Sequence, residues 1–351
     1  MKHDYKGRGA RVNPVNPFQK LSYTTDDHDG IDEPFFVGDE TVVYEENPKK
    51  IISKNDSPDI PFEYSVNPYQ GCGHGCAYCY ARPVHQYWGF NAGYDFERRI
   101  IVKKNAARLL EHQFNKKDYR VSTIMLSGNT DCYQPLERNY KITRSLLEVL
   151  LKYRHPVGII TKNALILRDL DLLKKLAEHK LVRVVITITT LDEGLRRNLE
   201  PRTSTSSIRL DTINKLSSAG IPTGIMMAPI IPSVNDHEIS DILPKASQAG
   251  ALSASYTLLR LNGPLPEIFG DWLDKNMPER KTKILNKVKH IHGGSLNDPN
   301  FGQRMRGKGN YAEMIHSLFQ KIRQKRFSHK AMPELDADQF IRKGQLKLFL
   351  I

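Results

Sequence analysis

From about residue 62 onward the chain alternates short apolar, β-branched runs with helical patterns, and this alternation restricts the fold more than any other feature. The runs lie at Ile100–Val102, Val121–Leu126, Val157–Thr161, Val182–Thr190, Pro222–Ala228 and Ser255–Leu261. Helical patterns fill the intervals at Asn105–Phe114, Tyr140–Tyr153, Ala164–His179, Ser206–Ala219 and Asp236–Ala249. In the third, Leu165, Leu172, Leu173 and Leu176 share a face, whereas Asp171, Lys174 and Glu178 point away. Gly220-Ile221-Pro222 and Ala249-Gly250-Ala251 stop helices just before the next strand. Regular β-α alternation builds a parallel sheet with right-handed crossovers. Six or seven units over roughly 200 residues are too few to close an eightfold barrel. The predicted fold class is therefore α/β: a partial, open (β/α)6 barrel of the TIM type, with functional residues at the C-terminal ends of its strands.

This texture places a core at residues 61–262, preceded by an arm over 1–60 and followed by a helical, basic extension over 263–330 and a tail over 331–351. Met1–Glu40 is polar and rich in Asn, Asp, Gly and Pro, a composition that buries little and reads as an arm lying over a domain or as disorder. The net charge is +13, and from Asp271 to Ile351 there are 17 Lys and Arg against 8 Asp and Glu. A basic balance suits a polyanionic partner such as nucleic acid and is equally compatible with simple solubility. With no signal peptide and no apolar run long enough to span a membrane, the sequence predicts a cytoplasmic protein with reduced thiols.

Four cysteines occur, and three of them, Cys72, Cys76 and Cys79, fall within eight residues as C-x3-C-x2-C. Three clustered thiolates can hold three corners of a [4Fe–4S] cube and leave the fourth iron open to a small molecule. A structural zinc site with His74 or His85 as fourth ligand is the alternative, although such sites usually pair two separated knuckles.

The motif, with the aromatic Tyr78 before its last cysteine, resembles that of the radical S-adenosylmethionine (SAM) enzymes. The blocks 67–83, 95–103, 127–135, 187–192, 200–202 and 224–236 are similar to the spore-photoproduct-lyase-related members, in the branch labelled DNA repair photolyase. The resemblance implies that SAM chelates the open iron, that an injected electron cleaves its sulfonium bond, and that the resulting 5′-deoxyadenosyl radical abstracts hydrogen from substrate. It also implies a one-electron reductant such as flavodoxin or ferredoxin.

Within this frame Ser127, Asn129 and Asp131 belong to the segment that meets the SAM amine, or else form an Asx-type loop cap. Lys162 ends a predicted strand, placed to pair with the SAM carboxylate, and Thr189 ends another, near ribose or carboxylate. Glu200 and Arg202 are read either as SAM contacts or as a loop salt bridge, and Met227 as adenine wall or core. Spore photoproduct lyases use a cysteine in the region of Cys132 as hydrogen-atom donor. The local Thr130-Asp131-Cys132-Tyr133-Gln134-Pro135 departs from their pattern, so Cys132 is a candidate donor or a buried cysteine, and Tyr133 a second candidate relay.

The stretch 293–310 is glycine-rich and basic, a loop for a phosphate-bearing substrate or a connector, and Lys321–Arg326 reads as a solvated helix face. Gln345-Leu346-Lys347-Leu348-Phe349 resembles the peptide by which bacterial DNA-processing proteins dock on the sliding clamp. The sequence thus predicts a radical SAM enzyme acting on nucleic acid. The alternatives are one acting on a protein or metabolite, and a non-enzymatic, metal-stabilised binding protein recruited to DNA.

Overall fold

The structure, a computed structural model, describes residues 7–18 and 40–342. Its strands are β1 (Val42–Glu45), β2 (Ile52–Lys54), β3 (Tyr64–Val66), β4 (Tyr69–Gln70), β5 (Arg99–Val102), β6 (Ile124–Leu126), β7 (Val157–Thr161), β8 (Val182–Thr187), β9 (Thr223–Ile230) and β10 (Ala254–Leu258). The main sheet runs in the order β10-β9-β8-β7-β6-β3-β2. From β3 to β10 every pair is parallel, and β2 joins antiparallel at the β3 edge. Six parallel strands in chain order, with β10 not paired to β3, make the open (β/α)6 barrel that the alternation predicts.

One strand assignment is corrected. Ile100–Val102 does not open the barrel. It lies in β5, the centre of a separate sheet ordered β1-β5-β4. Ile100, Ile101 and Val102 are all buried there, so an apolar run marks burial on both faces without saying in which sheet. The first barrel strand is instead β3, three residues long, with the two-residue β4 of the side sheet between it and the cysteine loop.

The expected helices form at Ala106–Phe114, Ile142–Lys152, Leu170–Glu178, Ser206–Ser218 and Ile239–Gln248. Leu172, Leu173 and Leu176 face the core, and Thr205 caps its helix by accepting from the Ile208 amide. Buried Val184, Ile186, Ile225 and Met227 knit sheet to helices, each side chain contributing about 1.5–3 kcal/mol through removal from water.

The glycine-rich stretch spans the open side of the barrel. On the β10 side Leu258 N–H donates to Met305 O (3.0 Å) and Leu261 N–H to Leu296 O (2.9 Å). On the side preceding β3, Gly302 N–H donates to Asp59 Oδ1 at 2.6 Å and Arg304 Nε to Asp59 Oδ2 at 2.5 Å. It is therefore a bridge fixed at both ends, and the reading as a loose connector is corrected.

After the helix Asn310–Phe327 the chain returns beneath the sheet, where Arg183 Nε donates to Pro333 O and Ile341 N–H to Tyr153 O. Phe340 closes an aromatic group of Phe114, Tyr119, Tyr153 and His155. The described chain ends here, at the N-terminal end of the strands, and Gln345–Phe349 lies outside the described residues. No helix among the described residues is long and apolar enough to cross a membrane.

Candidate active site

The loop after β4 carries Cys72, Cys76 and Cys79, and its path depends on glycine. Gly71 and Gly75 have φ of +79° and +70°, and a Cβ on Gly75 would stand 2.7 Å from Glu97 Oε2. Cys72 N–H donates to Phe96 O, and Gly73 N–H to Gln134 Oε1 at 2.9 Å. The buried Arg82 guanidinium grips the Cys76 carbonyl through Nε and Nη2 (3.0 and 2.8 Å), and pairs with Glu97 at 2.5 Å.

Glu97 accepts in turn from the amides of Gly9 (3.0 Å) and Ala10 (2.9 Å). The N-terminal segment thereby becomes a strap across the back of the cysteine loop. It is held further by Arg11 on Asp271 (2.9 Å) and by Asn16 Nδ2 on Gln86 O (2.8 Å).

The thiols sit in a setting that suits bound iron. Burial pushes all three thiols up, and the charge of Lys162 acts the other way at Cys76 and Cys79. Thiols set as these are, Cys72 and Cys76 buried and Cys79 half-buried, become thiolates beside a cation, which a cluster's iron would supply. Among the described residues no three His, Cys, Asp or Glu side chains are grouped to hold a single metal ion. A cube, by contrast, takes one thiolate per iron. His74 has both ring nitrogens engaged, with Asp131 Oδ2 (3.4 Å) and Asn163 Nδ2 (3.1 Å). His85 is buried between Phe90 and Phe96, and burial pushes its imidazole down to about 4. Donor chemistry and loop shape fit a cluster.

Beside the loop lies a polar knot centred on Glu200. Its carboxylate accepts from Arg209 Nη2 (2.5 Å), Thr189 Oγ1 (2.7 Å) and the Tyr78 hydroxyl, with Lys162 Nζ at 3.5 Å. Burial alone would raise this carboxyl, but the charges of Arg209 and Lys162 and the hydroxyls of Thr189 and Tyr78 outweigh it and hold it well below the carboxylate range. Fully buried, Glu200 serves to fix Tyr78 and Lys162 in place. The loop pair with Arg202 does not form, because the arginine that reaches Glu200 is Arg209. Arg202 is half-buried, its amide donating to His74 O at 3.2 Å.

Lys162 follows β7 and is 17% exposed, its ammonium 3.4 Å from Ala228 O and 5.7 Å from the Tyr78 ring centre. It is the cation that borders both knot and thiols.

Asp131 is a brace. Oδ1 accepts from Thr161 Oγ1 (2.8 Å) and Tyr133 N–H (2.9 Å), and Oδ2 from Lys162 N–H (2.8 Å). Ser127, at φ +72°, accepts from Cys132 N–H, and Asn129 Nδ2 donates to Gln70 Oε1 at 3.0 Å. The 127–131 loop is thus stapled to β7 and the cysteine loop.

Three candidates are core residues. Cys132 and Tyr133 are fully buried in the main core, with the Tyr133 hydroxyl donating to Asp169 at 3.1 Å. Met227 is likewise fully buried in that core, while its neighbours Met226 and Ala228 are half-buried, so the adenine-wall reading is corrected to core packing.

Sequence reasoning missed Arg82, Glu97 and Arg209. For Arg209 a signal existed: with Thr212, Ile213 and Leu216 it occupies the i, i+3, i+4, i+7 stripe of its helix, all four buried.

An open barrel of six parallel strands whose first strand leads into a three-thiol loop defines a barrel enzyme built around a redox cluster. The chain belongs to the radical SAM superfamily, whose family model matches residues 66–245. It is 32% identical to an uncharacterized protein of Mycobacterium tuberculosis over 79% of this chain and 80% of the relative. With an uncharacterized protein of Methanocaldococcus jannaschii the identity is 30% over 68% and 85%. Among solved structures, spore photoproduct lyase complexed with dinucleoside spore photoproduct superposes at a TM-score of 0.60, with 15% identity over 81% of this chain and 79% of that one. A variant of that lyase with bound AdoMet and the same dinucleoside gives 0.59 at 15% identity, over 82% and 79%. At this identity the likeness is one of fold. Superfamily membership implies a [4Fe–4S] cluster and SAM as cofactors.

Cys72, Cys76 and Cys79 are the residues that would hold the cluster, which with SAM would supply hydrogen-atom abstraction. The chain's own part is mechanical and electrostatic. The strap and the Arg82–Glu97 pair brace the cysteine loop, the Glu200 knot fixes Lys162 beside Tyr78, and the bridge ties the two edges of the open side together.

Proposed function

We propose that this radical SAM enzyme acts on nucleic acid, repairing a lesion or modifying a base, with Lys162 meeting the SAM carboxylate. The observation that carries the reading is the fold shared, over four-fifths of the chain, with a lyase whose structure holds a dinucleoside photoproduct. The +13 charge supports it, since a polyanion is drawn to such a surface. An acidic one-electron carrier of the flavodoxin or ferredoxin type supplies the electron. Gln345–Phe349 gives a route to a sliding clamp.

The test is anaerobic. Protein reconstituted with iron and sulfide is reduced and given SAM, and 5′-deoxyadenosine is measured with UV-irradiated DNA, with untreated DNA and with none. Greater yield with irradiated DNA, together with loss of photoproduct, is expected. Equal yield in all three overturns the nucleic-acid reading.

A further inference from the structure

Most buried arginines of this chain have an evident partner: Arg82 has Glu97 and Arg209 has Glu200. Arg260 has none. It is half-buried, and its guanidinium makes no hydrogen bond or ion pair among the described residues. It follows β10, where functional side chains of a parallel barrel gather. The backbone around it is pinned, with Leu259 N–H on Ile230 O and Leu261 N–H on Leu296 O, both at 2.9 Å. Leu259 and Leu261 are buried in one apolar cluster, so Arg260 between them faces the other way.

Its surroundings are equally specific. Tyr80, the second residue after Tyr78 and adjacent to Cys79, is 50% exposed, with its hydroxyl donating to Gly128 O at 2.8 Å. Arg260 lies within electrostatic reach of Tyr80, and Arg304 on the bridge repels it. Arg304 is already answered by Asp59, which also takes the Gly302 amide. The guanidinium therefore bears partial desolvation and a like charge, and the Asp59 carboxylate that attracts it is already bonded to Arg304 and the Gly302 amide, so an incoming anion relieves both. A guanidinium fork matches phosphate oxygens two at a time, and an exposed aromatic face beside it suits a nucleobase.

We propose that Arg260 holds a backbone phosphate of the substrate at the mouth of the barrel, beside Tyr80, and so selects a nucleotide chain. This rests on the nucleic-acid reading above. Fluorescence anisotropy of the reconstituted full chain tests it, with two labelled, UV-irradiated thymidine oligonucleotides, one with phosphodiester and one with neutral methylphosphonate linkages. Arg260→Gln is expected to weaken phosphodiester binding about tenfold and to reduce the salt slope by about one. Arg260→Lys, which keeps the charge and loses the fork, falls between. The methylphosphonate probe should bind weakly and equally to all three proteins.

Unchanged affinity and slope in Arg260→Gln overturns the assignment and leaves the nucleic-acid reading standing. Absence of binding by the unaltered protein overturns the reading and the assignment with it. Equal binding of the two probes, with displacement by inorganic phosphate, assigns the site to free phosphate and refutes a backbone contact.

Discussion

Replacing Gly9 by alanine tests whether the N-terminal strap is part of the cysteine loop's architecture. A Cβ on Gly9 would fall 1.8 Å from the Gly75 carbonyl oxygen, 3.0 Å from Gly75 C and 3.1 Å from Ala77 N. All three are backbone atoms of the cysteine loop, so the strap must withdraw by about 1 Å or more to restore ordinary contact. That separation breaks the bonds from the Gly9 and Ala10 amides to the Glu97 carboxylate. Each charge-assisted bond is worth about 1.5–3 kcal/mol, so the loss is about 3 kcal/mol at the low end.

An opening equilibrium shifted by that amount rises about 100-fold, since 1.4 kcal/mol is a factor of ten. Arg8 and Arg11 lie in the strap, Arg8 buried, so trypsin cleavage after them follows the open population. Cleavage should speed about 100-fold in Gly9→Ala, with faster loss of iron to a chelator. Gly270→Ala is the matched control, because its nearest neighbours are the tip of Lys281 at 3.8 and 3.9 Å. Cleavage of Gly9→Ala at the unaltered protein's rate would refute the strap as a clasp on the loop.

Further outcomes follow from the site. Glu200→Gln leaves Arg209 facing a neutral amide and should destabilise by about 3–5 kcal/mol in urea unfolding at pH 7. Because the folded carboxyl is held below its ordinary 4.5, its contribution is whole above that pH and lost as pH falls through 4.5 toward the folded value. The Gln variant should therefore show a shallower acid loss, and an unchanged one would remove Glu200 from the knot's energetics. Lys162→Met should weaken SAM binding about tenfold or more in equilibrium dialysis at unchanged iron content, and equal binding refutes its role as the anion's partner. Cys132→Ala, in the core, should cost about 1 kcal/mol and leave turnover within about twofold, whereas abolished turnover would return that thiol to the chemistry.

The sequence made the architecture readable wherever an element was long enough to repeat its pattern. The strands β7 to β10 and the helices between them fell where period and stop signals put them, because burial on one face leaves a periodic trace. β3 escaped, since three residues, Tyr64-Ser65-Val66, carry no period. β5 misled because burial on both faces looks the same in a side sheet as in a barrel.

The same division holds at the site. Cysteine spacing announces the loop, and strand ends announce Lys162 and Thr189. The grip of Glu97 on the strap spans 88 residues of chain, for which local pattern holds no signal, and that of Arg82 on Cys76 O, six residues away, follows neither a helical nor a strand period. Thr189 and Glu200 are brought together as strand end and loop, but the partner that sets Glu200's charge came from an adjacent helix. Met227 fell on the opposite face from its expected role because side chains alternate along β9.

The most direct measurement is electron paramagnetic resonance of the anaerobically reconstituted, reduced protein before and after SAM is added. A [4Fe–4S]-type signal whose g-values shift with SAM, and which is absent from Cys76→Ala, is the predicted result. A signal indifferent to SAM, or a native protein that carries zinc and no iron on these cysteines, would contradict it.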